Sequence, residues 1–273
     1  MVQESNIMNM YIGKEGRSDM SYVPTLIMSA FIGGVAGYLG SLMLSKRMAL
    51  IGGPLGHLSL PGIALALLYG FDVSLGSFLF IVLGILMIWL IEMRTKLPME
   101  AITALVFASG VAISFLFLPE EQTVPALIGD VSQISTEIVI IVVMLSTAIL
   151  LVTKSIYSKM VLVNISEDLA RVEGINTTKL NLIYLTCIAL VISLGVRIVG
   201  GLMTAAIVAI PACTSRNLSK TLSQYSYGGL ILGSVGCILG IILAEFTMVS
   251  AGPAIIIANT LLFLGSLIFK RAT

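Results

Sequence analysis

The sequence predicts an all-α bundle of membrane-spanning helices, on three observations. Hydrophobic residues fill 58% of the 273 positions and charged residues only 11%. A soluble domain carries about a quarter charged residues, so too few remain here to wet a globular surface. The apolar residues gather into nine long stretches, and lysine and arginine collect in alternate gaps between them.

Taken in chain order, residues 1–22 are polar and lack an apolar core. They read as a loosely structured tail, with no cleavable signal peptide expected. Residues 23–273 read as one membrane domain without linker or internal repeat. A span needs about 20 apolar residues, because the hydrocarbon core is about 30 Å thick and a helix rises about 1.5 Å per residue. The stretches 23–44, 48–70, 73–91, 101–118, 138–152, 180–196, 198–215, 226–244 and 249–269 meet or approach that length. The fifth and seventh are short. The seventh carries Gly200, Gly201 and Pro211, the marks of a broken or re-entrant piece.

Loop charge orients the spans, since basic residues concentrate on the cytoplasmic side. With nine spans and an external N-terminus, Lys46, Arg47, Arg94, Lys96, Lys154, Lys159, Arg171, Lys179, Arg216, Lys220, Lys270 and Arg271 are internal. These are 12 of the 15 basic residues. Lys14, Arg17 and Arg197 are external, beside the acidic Asp72, Glu120, Glu121, Asp130 and Glu137. Nine spans with the C-terminus cytoplasmic is the expected topology, and eight is the alternative.

A net charge of +1 offers nothing to nucleic acid. Cys187, Cys213 and Cys237 lie in apolar runs, where cysteine serves as a small hydrophobe. No Gly-x-x-x-x-Gly-Lys-Ser/Thr loop occurs, so any ATP-driven step belongs to another chain.

The most informative segment is Lys46-Arg-Met-Ala-Leu-Ile-Gly-Gly-Pro-Leu-Gly-His-Leu-Ser-Leu-Pro-Gly62. Proline removes a backbone donor and glycine loosens a helix, so this span is expected to kink or unwind. Irregular backbone at membrane depth is tolerated where protein or a water-filled cavity satisfies it, and such helices often line transport sites. In its middle stands His57, the chain's one histidine. An ionisable residue inside a span is a pathway candidate, and a neutral imidazole bonded to a neighbouring carbonyl is the other reading.

This segment resembles the permease family of metal-type ABC importers, the ABC-3 family serving zinc, manganese and iron. Its pattern runs Arg-Met-Ala-Leu-hydrophobic-Gly-Asp-Ala-Leu-Ser-His-Ala-hydrophobic-Leu-Pro-Gly. Arg47, Met48, Ala49, Leu50, Gly52, Leu55, His57, Leu60, Pro61 and Gly62 match it. Glu100 to Ser109, Val199 to Arg216 and Ser250 to Pro253 are similar to three further family stretches, in order and spacing. The resemblance implies a permease homodimer, a separate ABC ATPase subunit, an external substrate-binding protein and no bound cofactor. It also implies a pathway at Gly53, Pro54, His57 and Pro61, with His57 as a metal ligand. One departure stands out: Gly53 occupies the position of the family's aspartate, and Pro54 and Gly56 replace its Ala and Ser. A lone imidazole does not close a metal site, because zinc takes four ligands and manganese about six. Either a twofold dimer brings two copies of His57 together, or other residues substitute, or the cargo differs. Met203, Glu245 and the three cysteines read as packing or span-end residues.

A second segment, Asn164-Ile-Ser-Glu-Asp-Leu-Ala-Arg-Val-Glu-Gly-Ile175, predicts a short internal helix. Ser166 is suited to cap it, Glu167 and Asp168 favour its positive end, and Gly174 is suited to end it. Leu169 and Val172 are three apart and share a face. Such a helix either lies on the membrane surface or, as the resemblance implies, docks on the ATPase. A secondary transporter or channel would want several intramembrane ionisable residues. An intramembrane enzyme would want a nucleophile with a base or a multi-ligand metal site. The spans hold only His57 and the end-lying Glu245, which disfavours both.

Overall fold

The computed structural model describes residues 22–45, 56–95, 97, 99–117, 127 and 136–269. Every element among them is helical: α1 (Tyr22–Ser45), α2 (Leu60–Tyr69), α3 (Val73–Arg94), α4 (Met99–Phe117), α5 (Thr136–Ile165), α6 (Glu167–Val172), α7 (Thr177–Leu218), α8 (Leu222–Thr247) and α9 (Ala251–Ile268). Among the described residues, six helical segments are long and apolar enough to cross a membrane: Val23–Ser45, Val73–Ile91, Thr136–Ile165, Lys179–Gly201, Leu222–Thr247 and Ala251–Ile268. Gly56–Tyr69 and Ala101–Leu116 are shorter apolar helices.

Local chemistry sets the helix ends. Asp72 caps α3, its carboxylate accepting from the Ser74 and Leu75 amides at 2.8 and 3.1 Å. Asn176 accepts from the Lys179 amide at the start of α7, and Thr221 from the Gln224 amide at the start of α8. Each satisfies an amide that the first helical turn leaves open. Gly70, at φ +72°, turns the chain out of α2 in the left-handed conformation that glycine adopts without penalty.

The helices form two groups. In the first, α1 packs against α5, α7 and α8, and α7 and α8 both pack on α9. In the second, α2, α3 and α4 pack on one another, and α3 also packs on α7. Small residues let α1 sit at the centre of the first group. Cβ atoms at Gly33 or Gly37 would strike the backbone of Gly233 or Gly229 in α8, and one at Gly40 would strike Val208 in α7. This is how helices associate where lipid offers no hydrophobic drive. Polar ties add to it: Ser234 Oγ donates to the Ala30 carbonyl at 2.8 Å, and Ser41 Oγ lies 3.0 Å from the Tyr157 hydroxyl.

Helix α7 runs for 42 residues and is broken at Gly200, whose φ of 75° and ψ of 168° are not helical. A straight helix of that length would be about 63 Å long, twice the thickness of a bilayer core. Instead the chain folds over at Gly200. A Cβ at Gly195 would lie 2.9 Å from the Thr204 side chain, whereas nine residues of straight helix separate by about 13.5 Å. The sixth and seventh predicted stretches are thus the two arms of one folded helix.

Candidate functional site

The segment 56–63 meets the folded part of α7. Residues 56–58 form a helical turn that leads into α2, and Gly56 lies against the backbone of Gly201 and Ala205. From the other side, Gly201 is covered by Ser59, Leu60 and Ile63. Two interruptions of regular helix, far apart in sequence, are therefore in contact.

Each interruption carries a hydroxyl that turns back onto its own backbone. Ser59 Oγ donates to the Gly56 carbonyl, and Thr204 Oγ1 donates to the Gly200 carbonyl. Both side chains are fully buried. Bonds of this kind let irregular backbone persist at membrane depth.

His57 projects from this junction half-buried, its ring 4.9 Å from that of Phe107 in α4 and tilted by 47°. Next to it, Leu58 fills space left by glycines: Cβ atoms at Gly84 of α3 and Gly110 of α4 would fall 2.6 and 3.0 Å from its methyl groups. Pro61 is buried at the start of α2, where its missing amide costs no helical bond. Gly53 and Pro54 lie outside the described residues. Among the described residues no group of three or more His, Cys, Asp or Glu side chains stands close enough to hold a metal. Cys187 and Cys237 are buried, and Cys213 and Met203 half-buried. Glu245 lies two residues from the end of α8.

Asp72 and Arg197 form an ion pair, Oδ2 to Nη2, of 3.0 Å. It joins the α2–α3 turn to α7 just before the fold. Far along the second arm, Asn217 Nδ2 donates to Ser266 Oγ at 3.0 Å and Ser215 Oγ donates to the Tyr225 carbonyl at 2.7 Å. Arg216 and Lys220 therefore stand at the opposite end of that arm from Asp72 and Arg197.

The short helix α6 stands apart from this junction. Ser166 Oγ accepts from the Leu169 amide at 3.2 Å, and Gly174 leaves the helix at φ +76°. Ala170 is wholly buried and anchors the helix on its neighbours, while Leu169 is 47% and Val172 84% exposed. Asp168 is exposed. Glu167 is the first residue of the helix. Sequence reasoning marked Gly200, Gly201 and His57, but missed Ser59, Thr204 and Phe107. Ser and Thr in a span give no local signal, because their partners here depend on where the backbone breaks.

The profile of the ABC 3 transport family matches residues 19–270. The chain belongs to the ABC 3 transport family. It is 28% identical to the high-affinity zinc uptake system membrane protein ZnuB of Haemophilus influenzae, over 91% of this chain and 97% of that one. It is 21% identical to the manganese transport system membrane protein MntC of Listeria monocytogenes, over 93% of each. Its fold is similar to that of the solved structure of PsaBC from Streptococcus pneumoniae in complex with Fab. There the TM-score is 0.81 at 21% identity, covering 98% of this chain and 95% of that one. The chain is accordingly a multi-pass membrane transport protein of the permease type, and not itself an enzyme.

Proposed function

We propose that this chain is the permease of an ATP-driven importer that carries a divalent transition metal ion, with zinc and manganese the first candidates. The transport class follows from family membership, and the cargo class is taken from relatives named for zinc and manganese transport. The observation that supports a pathway beside His57 is the contact of two broken helices at Gly56 and Gly201. Cargo sites in transporters form where discontinuous helices expose backbone and polar groups. In this reading two copies of the chain supply two copies of His57, an ATPase docks on α6, and an external protein delivers the ion.

The membrane topology in this reading keeps nine crossings. They are the six long helices, the two shorter ones, and the second arm of α7. The N-terminus is external, the C-terminus cytoplasmic. The ion pair Asp72–Arg197 and the clustering of Arg216 and Lys220 at the other end of that arm support it. Pairing Asp72 with Arg197 accounts for an arginine at the fold of α7 on the external side.

Metal uptake by cells with and without the chain tests the class directly. His57→Ala should lower uptake severalfold while leaving assembly with the ATPase intact, and Gly53→Asp should strengthen metal dependence. Transport through a liganding imidazole should also fall in acid, once the ring protonates and no longer ligates. Uptake by His57→Ala that falls only in proportion to lost protein would assign the ring a packing role against Phe107.

Docking has its own test. Leu169→Asp with Val172→Asp should abolish co-purification of the ATPase while the permease still inserts. Survival of both the complex and coupled ATP hydrolysis would remove α6 from the interface.

A further inference from the structure

A cleft of about 540 Å³ opens where the end of α5, the exit of α6 and the first turn of α7 come together. Two lysines line it, Lys159 and Lys179, together with Glu173; Leu162, Leu180 and Ile183 make its apolar wall. The cleft is separate from the His57 junction, and neither Leu169 nor Val172 lines it.

Its place relative to the bilayer follows from helix lengths. Helix α5 has 30 residues and so runs about 45 Å, against a hydrocarbon core of about 30 Å. Lys159 lies in the part that outruns the core, and Lys179 is the first residue of the apolar segment Lys179–Gly201. Both lysines are exposed and stand at the edge of the apolar slab, where long cationic side chains reach the headgroup layer. Ile183 is 40% and its neighbour Leu182 64% exposed, so the apolar wall continues into the surface that faces lipid.

Charge narrows the occupant. Two lysines against one glutamate leave a single positive charge, which matches the single negative charge of a phosphodiester. The start of α7 adds the positive end of a long helix. A free inorganic anion would gain nothing from Leu162, Leu180 and Ile183, whereas a lipid fills both the basic rim and the apolar wall. Basic pockets between membrane helices at this depth are suited to phospholipid headgroups. We propose that this cleft is a site for an anionic phospholipid, its phosphate held by Lys159 and Lys179 and one acyl chain laid along Leu162, Leu180 and Ile183. The inference requires only that the chain spans a bilayer, and it stands or falls apart from the metal reading. A lipid seated there would brace the exit of α6, since Glu173 belongs to both.

The test is native mass spectrometry of the full chain taken from nanodiscs of equal phosphatidylglycerol and phosphatidylcholine. The wild type should retain phosphatidylglycerol selectively, and Lys159→Gln with Lys179→Gln should reduce that enrichment about tenfold. Lys154→Gln, one to two turns earlier on α5 and outside the cleft, should leave it unchanged. Ile183→Trp, which crowds the wall and keeps both lysines, should also release lipid; it serves where the double variant does not fold. Equal retention of the two lipids by the wild type would overturn the proposal. So would an equal loss in Lys154→Gln, unchanged retention in Ile183→Trp, or displacement of the lipid by inorganic phosphate, which marks a free-anion site. Unchanged lipid retention with loss of the ATPase in the double variant would assign the cleft to the protein partner instead.

Discussion

Helices α1 and α3 differ in a way that inverts the rule for soluble proteins. The Val23–Ser45 segment is 78% buried, yet it is the least apolar of the six long spans. The Val73–Ile91 segment is only 28% buried and is the most apolar. Lipid tails are as apolar as leucine, so burial inside the bundle brings no hydrophobic gain. What burial requires is close approach, and α1 achieves it with Gly33, Gly37 and Gly40 and with hydroxyls such as Ser41. What lipid requires is an apolar coat, and α3 supplies Leu79, Leu83 and Leu86, each about half exposed.

Substitutions that exchange these roles should separate the two helices cleanly. Gly37→Leu carries the largest expected effect. A Cβ there would fall 2.8 Å from the Gly229 carbonyl carbon and 3.2 Å from Pro211, so neither partner helix can yield without moving its backbone. Overpacking costs about 1–3 kcal/mol and occasionally more, and this position touches two helices at once. No monodisperse protein is expected by size-exclusion chromatography; a normal elution profile and melting temperature would break the comparison.

Gly200→Ala should lie between the extremes. A side chain at φ 75°, ψ 168° costs about 1–3 kcal/mol, and the strain falls where the two broken helices meet. The variant should fold with a lowered melting temperature and lose more uptake than folded protein. Uptake that tracks folded protein would reduce Gly200 to a structural corner.

Leu83→Ala in α3 should be nearly silent, within about 0.5 kcal/mol, because it trades one lipid-facing apolar group for a smaller one. A thermal shift as large as that of Gly200→Ala would show that α3 is covered by protein, as by a second copy of the chain.

The same contrast accounts for what the sequence made legible. Lipid-facing helices announce themselves, so the stretches at 73–91 and 138–152 fell on α3 and α5. The latter proved twice as long, because its final turns leave the core and carry Lys154 and Lys159, which hydropathy treats as an end. Ser166 and Gly174 bounded α6 as expected, since caps and left-handed glycines act through neighbouring residues. At His57 the reading reached the broken span but not its surroundings. Phe107, Thr204 and Gly201 come from other helices, and no local pattern ties them to residue 57. Gly200 marked a break, but not that the chain folds over there. That depends on which residues of α2 lie against Gly201.

Helix α1 is also made long before its main partners, α7 and α8. Ser234 and Ala30, joined by a hydrogen bond, are 204 residues apart. Until α7 and α8 have been inserted, the glycine face of α1 has nothing to meet but lipid. Closing so long a loop is slow, so the glycine face of α1 waits for α7 and α8 even after α5 has covered its other side. A chain cut short before α8 would keep that face open for good, and membrane proteases that sense loosely held helices would find it there.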